Sequence, residues 1–129
     1  MKTTFIWACI FGLTAIGIGA LGAHGLKEIL SESQLESVAT GVKYQMYHSF
    51  FLLFIGLLQI VKPEIKLNLV RNLAIVGVIF FSFSIYLLTM QTPLGIALPF
   101  LWAFTPLGGI VLMLAWFVLL VKLVLTKDL

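Results

Sequence analysis

Four apolar runs constrain this chain more than any other feature. Each is close to the roughly 20 residues that a helix needs to cross a bilayer. They extend from about Thr3 to Ala23, from Tyr44 to Val61, from Asn68 to Met90, and from Pro99 or Pro106 to Leu125. The first run has no charged residue, the third holds Arg71 near one mouth, and the fourth holds Lys122, placed to snorkel. Of the 129 residues 61% are hydrophobic and only 10% are charged, against about 25% charged in an ordinary soluble protein. A soluble domain of this length cannot hide so much apolar surface, so the medium in which the chain folds is lipid. The expectation is a single all-α membrane domain over 1–129, with four transmembrane helices over about 3–23, 44–61, 68–90 and 101–125. Lys2 followed by an apolar run imitates a signal peptide. The run outlasts an ordinary signal-peptide core, so it reads as an uncleaved helix.

Loop charges give the direction of threading. Lys2, Lys62, Lys66, Arg71, Lys122 and Lys127 make up 6 of the 8 basic residues, and all lie at one side of this arrangement. The 24–43 segment carries Lys27 and Lys43 beside Glu28, Glu32 and Glu36, and the 89–100 segment carries no charge. Both termini therefore point to the cytoplasm. Segment 26–43 cannot cross lipid with three glutamates in it. Its apolar residues recur at helical spacing, which predicts a short extracytoplasmic amphipathic helix between spans one and two. Ser31 or Ser33 is placed to cap it, with Glu36 completing a capping box on Ser33. The scattered basic residues form no stripe for nucleic acid.

Side-chain spacing then assigns faces. Ala8, Gly12, Ala15, Gly19 and Gly22 form a stripe of tiny side chains along span one. Membrane helices associate through close backbone approach, so this stripe predicts a packing face toward another helix or a second subunit. On span two, Tyr44, Gln45, His48, Ser49, Gly56 and Gln59 share one arc, and Phe50, Leu53, Phe54, Leu57 and Val61 take the other side. Unpaired polar groups are costly in hydrocarbon, so the polar arc faces the bundle. Span three has two polar sides, one with Asn68, Asn72, Ser82, Tyr86 and Thr89 and another with Gly77, Ser84 and Gln91, and spacing does not choose which faces inward. Thr-Pro-Leu-Gly occurs at 92–95 and 105–108, and the last span begins at Pro106 or begins near Pro99 and kinks at Pro106.

Several chemistries lack their parts. A proton-coupled carrier needs an intramembrane carboxylate, and no span has one; a thiol oxidase needs cysteine pairs, and Cys9 is single. No serine–histidine–acid set stands out for hydrolysis. His24 ends span one, and His48 sits inside span two on the same side, with Tyr44, Gln45, Tyr86 and Thr105 nearby in this threading. This predicts a polar cluster at the outer end. It suits binding first, and haem or metal ligation through His24 and His48 as the alternative. Gly22 and Gly25 flank His24 where the chain turns onto the surface, so His24 also reads as a helix-end residue.

The residues just discussed resemble a known family. GALGAHGLK at 19–27, YQMYH at 44–48, FFSFSIYLL at 80–88 and TPLGG at 105–109 look like the small YgdD/YwdK-type membrane proteins, a domain-of-unknown-function family numbered 423. The resemblance covers nearly the whole chain in the same order, with Phe83 where the family pattern usually has glycine. It implies a four-helix integral protein of the bacterial inner membrane, and it brings no established activity, cofactor or catalytic residue. His24, Lys27, Tyr44, Gln45 and His48 match family motif positions. The expected function is non-enzymatic: binding of membrane lipids or an apolar small molecule, or service in a homo-oligomer or larger membrane complex. A haem- or metal-binding redox protein and a small oligomeric transporter are the alternatives.

Overall fold

A computed structural model describes residues 1–126. Lys127, counted above among the tail charges, lies outside the described residues. Five α-helices make up four spans: α1 Lys2–Ala23, α2 Glu32–Val61, α3 Asn68–Val78 joined through a π-helical segment Ile79–Phe83 to α4 Ser84–Leu94, and α5 Phe104–Leu125. Short 3-10 turns occupy Gly25–Glu28 and Pro99–Ala103. All four spans are long and apolar enough to cross a membrane, and no strand occurs among the described residues. Lys2 of the first span and Leu125 of the last lie at one end of the bundle, and the His24 turn lies at the other.

The apolar 26–43 segment departs from the surface helix expected there. Only Gly25–Glu28 stands apart, and residues 32–43 form the first turns of α2. The physical reason is phase. Val38, Gly41, Gln45, His48 and Ser49 are all buried along one helix face, and no proline or cap separates Lys43 from Tyr44. Thirty residues of helix measure about 45 Å. That exceeds the roughly 30 Å hydrocarbon core, so the glutamate-bearing end projects beyond it.

The start of α2 is fixed by Ser31, not Ser33. Its hydroxyl accepts from Gln34 N at 3.3 Å, and Gln34 Oε1 accepts from Ser31 N at 2.9 Å. Gln34 Nε2 also donates to Thr89 O at 3.3 Å. That carbonyl is freed by Pro93, which lies four residues on within α4 and has no N–H to give. Gln34 thus closes a cap and mends a proline gap in another span. Gln34→Ala is expected to cost about 1–2 kcal/mol in unfolding measurements. Glu36→Ala, at the position expected for the box, should change stability by less than about 0.5 kcal/mol.

Gly95, at φ 64°, ends α4 in the left-handed conformation that favours glycine, with Ile96 N bonded to Gln91 O at 3.1 Å. Of the two starts expected for the last span, the structure has the one near Pro99 and not Pro106. The chain turns helical at Pro99 as a 3-10 turn, and Pro106 falls in the first turn of α5, where its missing donor leaves no intrahelical bond unmade. Thr105 does not cap this helix; its hydroxyl reaches across to Ser84 at 2.7 Å.

The helices pack in the order α1, α2, span three, α5. The small-residue stripe of α1 lies against α2 of the same chain. Ser49 Oγ donates to Ala8 O at 2.6 Å, and Ala8 and Ala15 are fully buried. Ser82 and Thr89 from one polar side of span three and Gly77 and Ser84 from the other are buried, while Asn68 and Asn72 are exposed. Ser82 donates to Gly41 O at 2.8 Å on α2, and Ser84 meets Thr105 at the start of α5. The lipid-facing side assigned to α2 is observed as such at Phe50, Phe54, Leu57 and Val61, all exposed. The apolar core beneath the polar layer joins Phe11, Leu52, Ile55, Val70, Val78 and Ala115.

Candidate functional site

The polar residues expected in one cluster sit in separate places. Gln45, fully buried, is the centre of a closed knot. Its Nε2 donates to Phe11 O at 2.9 Å and to Thr14 Oγ1 at 2.6 Å, and its Oε1 accepts from Tyr86 O–H at 2.9 Å. Both amide hydrogens and the carbonyl are therefore engaged. Gly41 makes room for this, since a Cβ there would meet the Tyr86 ring at 2.7 Å. Gln45 and Tyr86 bind α1, α2 and α4 to one another.

Thr105 belongs to a groove between α2, α4 and the start of α5, on the His24 half of the bundle. The groove encloses about 450 Å³ and is lined by Gln34, Ser37, Thr40, Phe81, Ile85, Leu88, Thr89 and Thr105. Its hydroxyl hydrogens are directed back into the protein. Ser37 donates to Ser33 O at 2.9 Å, Thr40 to Glu36 O at 3.0 Å and Thr89 to Tyr86 O at 2.9 Å. Ser84 donates to Phe81 O at 2.9 Å, so the hydrogen in the Ser84–Thr105 bond comes from Thr105. What remains is the lone pairs of these hydroxyl oxygens and the second Nε2 hydrogen of Gln34, beside an apolar floor of Phe81, Ile85 and Leu88.

His48 turns to a third neighbour. It lies with Tyr44 beside Gly109, Leu112, Met113 and Trp116 of α5, around a cavity of about 300 Å³. Its Nδ1 is 2.8 Å from Tyr44 O, while Nε2 is buried and has no hydrogen-bond partner among the described residues. Tyr44 is 43% exposed and its ring lies 4.8 Å from that of Phe81.

His24 and Lys27 are exposed at the corner after α1. The backbone of His24 makes the corner, its N–H reaching Leu21 O at 3.2 Å and its O accepting from Lys27 N at 3.3 Å. The turn needs no glycine freedom, because Gly95 is the only glycine with positive φ. The two histidines are not brought together. Gly12 lies against Ser49, Gly19 against Val42 and Gly22 against Val38. Extending that register places His24 about 17 Å along the axis from His48. Among the described residues no three His, Cys, Asp or Glu side chains gather as metal ligands do. The polar arc of α2 also turns to different neighbours instead of lining one passage.

Gln34, Ser37, Thr40 and Thr89 were not singled out as site residues. A signal was present: 34, 37 and 41 follow helical spacing in phase with Gln45, once residues 32–61 are taken as one helix.

Comparison with known proteins adds the following. Residues 18–109 match the family described as "Protein of unknown function (DUF423)". A UPF0382 membrane protein of Staphylococcus epidermidis is 36% identical over 121 residues, covering 94% of each chain. The UPF0382 membrane protein YwdK of Bacillus subtilis is 35% identical over 125 residues, 96% of this chain and 98% of that protein. A UPF0382 membrane protein of Staphylococcus saprophyticus is 35% identical over 121 residues, 94% of this chain and 96% of the relative. No solved structure matches.

Proposed function

Because the chain belongs to the DUF423 family, with relatives named UPF0382 membrane proteins, we propose that it is a non-enzymatic membrane protein that holds an amine-headed lipid in the groove between α2, α4 and α5. In this reading the protein sits in the bacterial inner membrane. The His24 end faces away from the cytoplasm, because the basic residues concentrate at the other end. One observation carries the reading: the hydroxyls of Ser37, Thr40, Thr89 and Thr105 spend their hydrogens elsewhere, so acceptors outnumber donors in the groove, where the second Nε2 hydrogen of Gln34 is the donor left over. A ligand must supply the hydrogens those oxygens lack, and a primary ammonium headgroup has three to give. Glu32 and Glu36 on the projecting end of α2 favour that charge. The floor of Phe81, Ile85 and Leu88 then takes the start of an acyl chain.

Phosphatidylethanolamine and phosphatidylcholine carry the same net charge and differ in N–H donors, so they isolate the claim. Added to delipidated protein, phosphatidylethanolamine should raise the melting temperature by several degrees more than phosphatidylcholine. Thr40→Val/Thr105→Val should remove that difference. Equal shifts from the two lipids would count against the proposal.

A further inference from the structure

His48 presents a problem that the groove does not solve. The residue is 5% exposed, and Nε2 lacks any partner. A carbonyl oxygen only accepts, so the neutral ring carries its proton on Nδ1, donated to Tyr44 O at 2.8 Å. Nε2 is then a bare, buried acceptor on a side chain that lines the α2–α5 cavity. Unpaired, such a group costs several kcal/mol in hydrocarbon. The rest of the lining is Leu112, Met113 and Gly109 with the rings of Tyr44 and Trp116, and neither the Tyr44 hydroxyl nor the Trp116 N–H bonds to Nε2.

Three properties restrict what fills the space. The first is depth. Leu112 and Trp116 lie two to three turns into α5, about 12–18 Å from its start. His48 lies five residues, about 7.5 Å, inside the Lys43 end of the hydrocarbon, so the cavity runs from the upper part of a roughly 30 Å layer toward its middle, below the headgroups. The second is size. About 300 Å³ is twice the roughly 150 Å³ of a cavity that holds benzene, enough for a substituted ring. The third is access. Met113 is 66% and Trp116 54% exposed on the lipid side, so a tail can leave sideways into the bilayer. Gly109 leaves the space open, since a Cβ there would meet only the Phe81 ring, at 3.7 Å.

We infer that the α2–α5 cavity binds a hydroxyl-bearing aromatic ring dissolved in the membrane, a phenol or quinol with an apolar tail, whose O–H donates to His48 Nε2. The rings of Tyr44 and Trp116 flank the bound ring. The arrangement discriminates by oxidation state. A quinol offers a donor, whereas its quinone offers carbonyl oxygens that can only accept, and two acceptors do not bond. This site is independent of the lipid groove, from which it differs in walls, depth and required headgroup.

A decyl-substituted benzoquinol and the matching benzoquinone test this. Each is titrated anaerobically into the purified full chain in detergent, and the melting temperature is followed to give a dissociation constant. The quinol should bind about tenfold more tightly, the factor that one net hydrogen bond supplies. His48→Phe should abolish the preference. Gly109→Leu should block both ligands by filling the cavity while leaving His48 and its Tyr44 bond in place, which keeps the test sound if His48→Phe misfolds. Equal affinity for quinol and quinone would overturn the inference. So would quinol binding that survives Gly109→Leu, or an experimental structure in which Nε2 holds only a water after soaking with the quinol.

Discussion

Gly108→Ala is expected to destabilise the protein by about 2–3 kcal/mol, the range for a core site that cannot absorb added volume. A Cβ at this position would fall onto backbone atoms of Phe80 and Phe81 in the π-helical segment of span three. Side chains move aside at modest cost, but here the obstacle is main chain held at both ends by helix. The neighbouring contact repeats the feature, since a Cβ on Gly77 would meet the Leu112 backbone N at 3.1 Å. Span three and α5 therefore approach through glycine on each partner, the mode of association that lipid favours. Gly17→Ala is the control. Nothing lies within 4 Å of a Cβ there, so that variant should be neutral or gain up to about 0.5–1 kcal/mol from helix propensity. Unfolding by a denaturing detergent, followed by circular dichroism, reads both.

Gln45→Leu should cost about 2 kcal/mol. The leucine fits by size, but Tyr86 O–H then loses its acceptor in a part-buried site, and Thr14 and the Phe11 carbonyl lose a bond from α2. Interhelical hydrogen bonds in membranes are individually modest, commonly under about 2 kcal/mol. The larger part of this figure is the penalty of the stranded hydroxyl. Tyr86→Phe separates the two contributions. If the hydroxyl is the main burden, the double variant Gln45→Leu/Tyr86→Phe will be more stable than Gln45→Leu alone. A double variant less stable than Gln45→Leu alone would mean that the Tyr86 hydroxyl has another role.

The four spans, the small-residue stripe of α1 and the inward arc of α2 were legible because each depends on periodicity along a single helix. Ala8, Gly12 and Ser49 meet as spacing alone suggests. Which neighbour each polar residue meets was not legible. Gln45 and His48 are three positions apart on the same arc, yet one faces α1 and Tyr86 while the other faces α5. An arc of roughly 140° is wide enough to touch two partners, and only the packing order decides between them. The junction at Lys43–Tyr44 was misread because charge marked the edge of the hydrocarbon, and an edge of solvent need not be an end of helix. The π-helical segment left no mark in the pattern. Phe83 is half-buried, with its ring 5.7 Å from that of Tyr86. Gly108 on the facing helix makes the close approach at this level.

The intramembrane polar groups fall into a knot that joins helices and a groove for which we propose a lipid. Native mass spectrometry of protein extracted in mild detergent, with melting temperature recorded on the same samples, measures that division directly. Gln45→Leu should melt earlier and keep its bound lipid, whereas Thr40→Val/Thr105→Val should lose it and melt lower only by the few degrees that the lipid contributes. The reverse result, lipid lost with Gln45 and kept without the two threonine hydroxyls, would contradict the assignment.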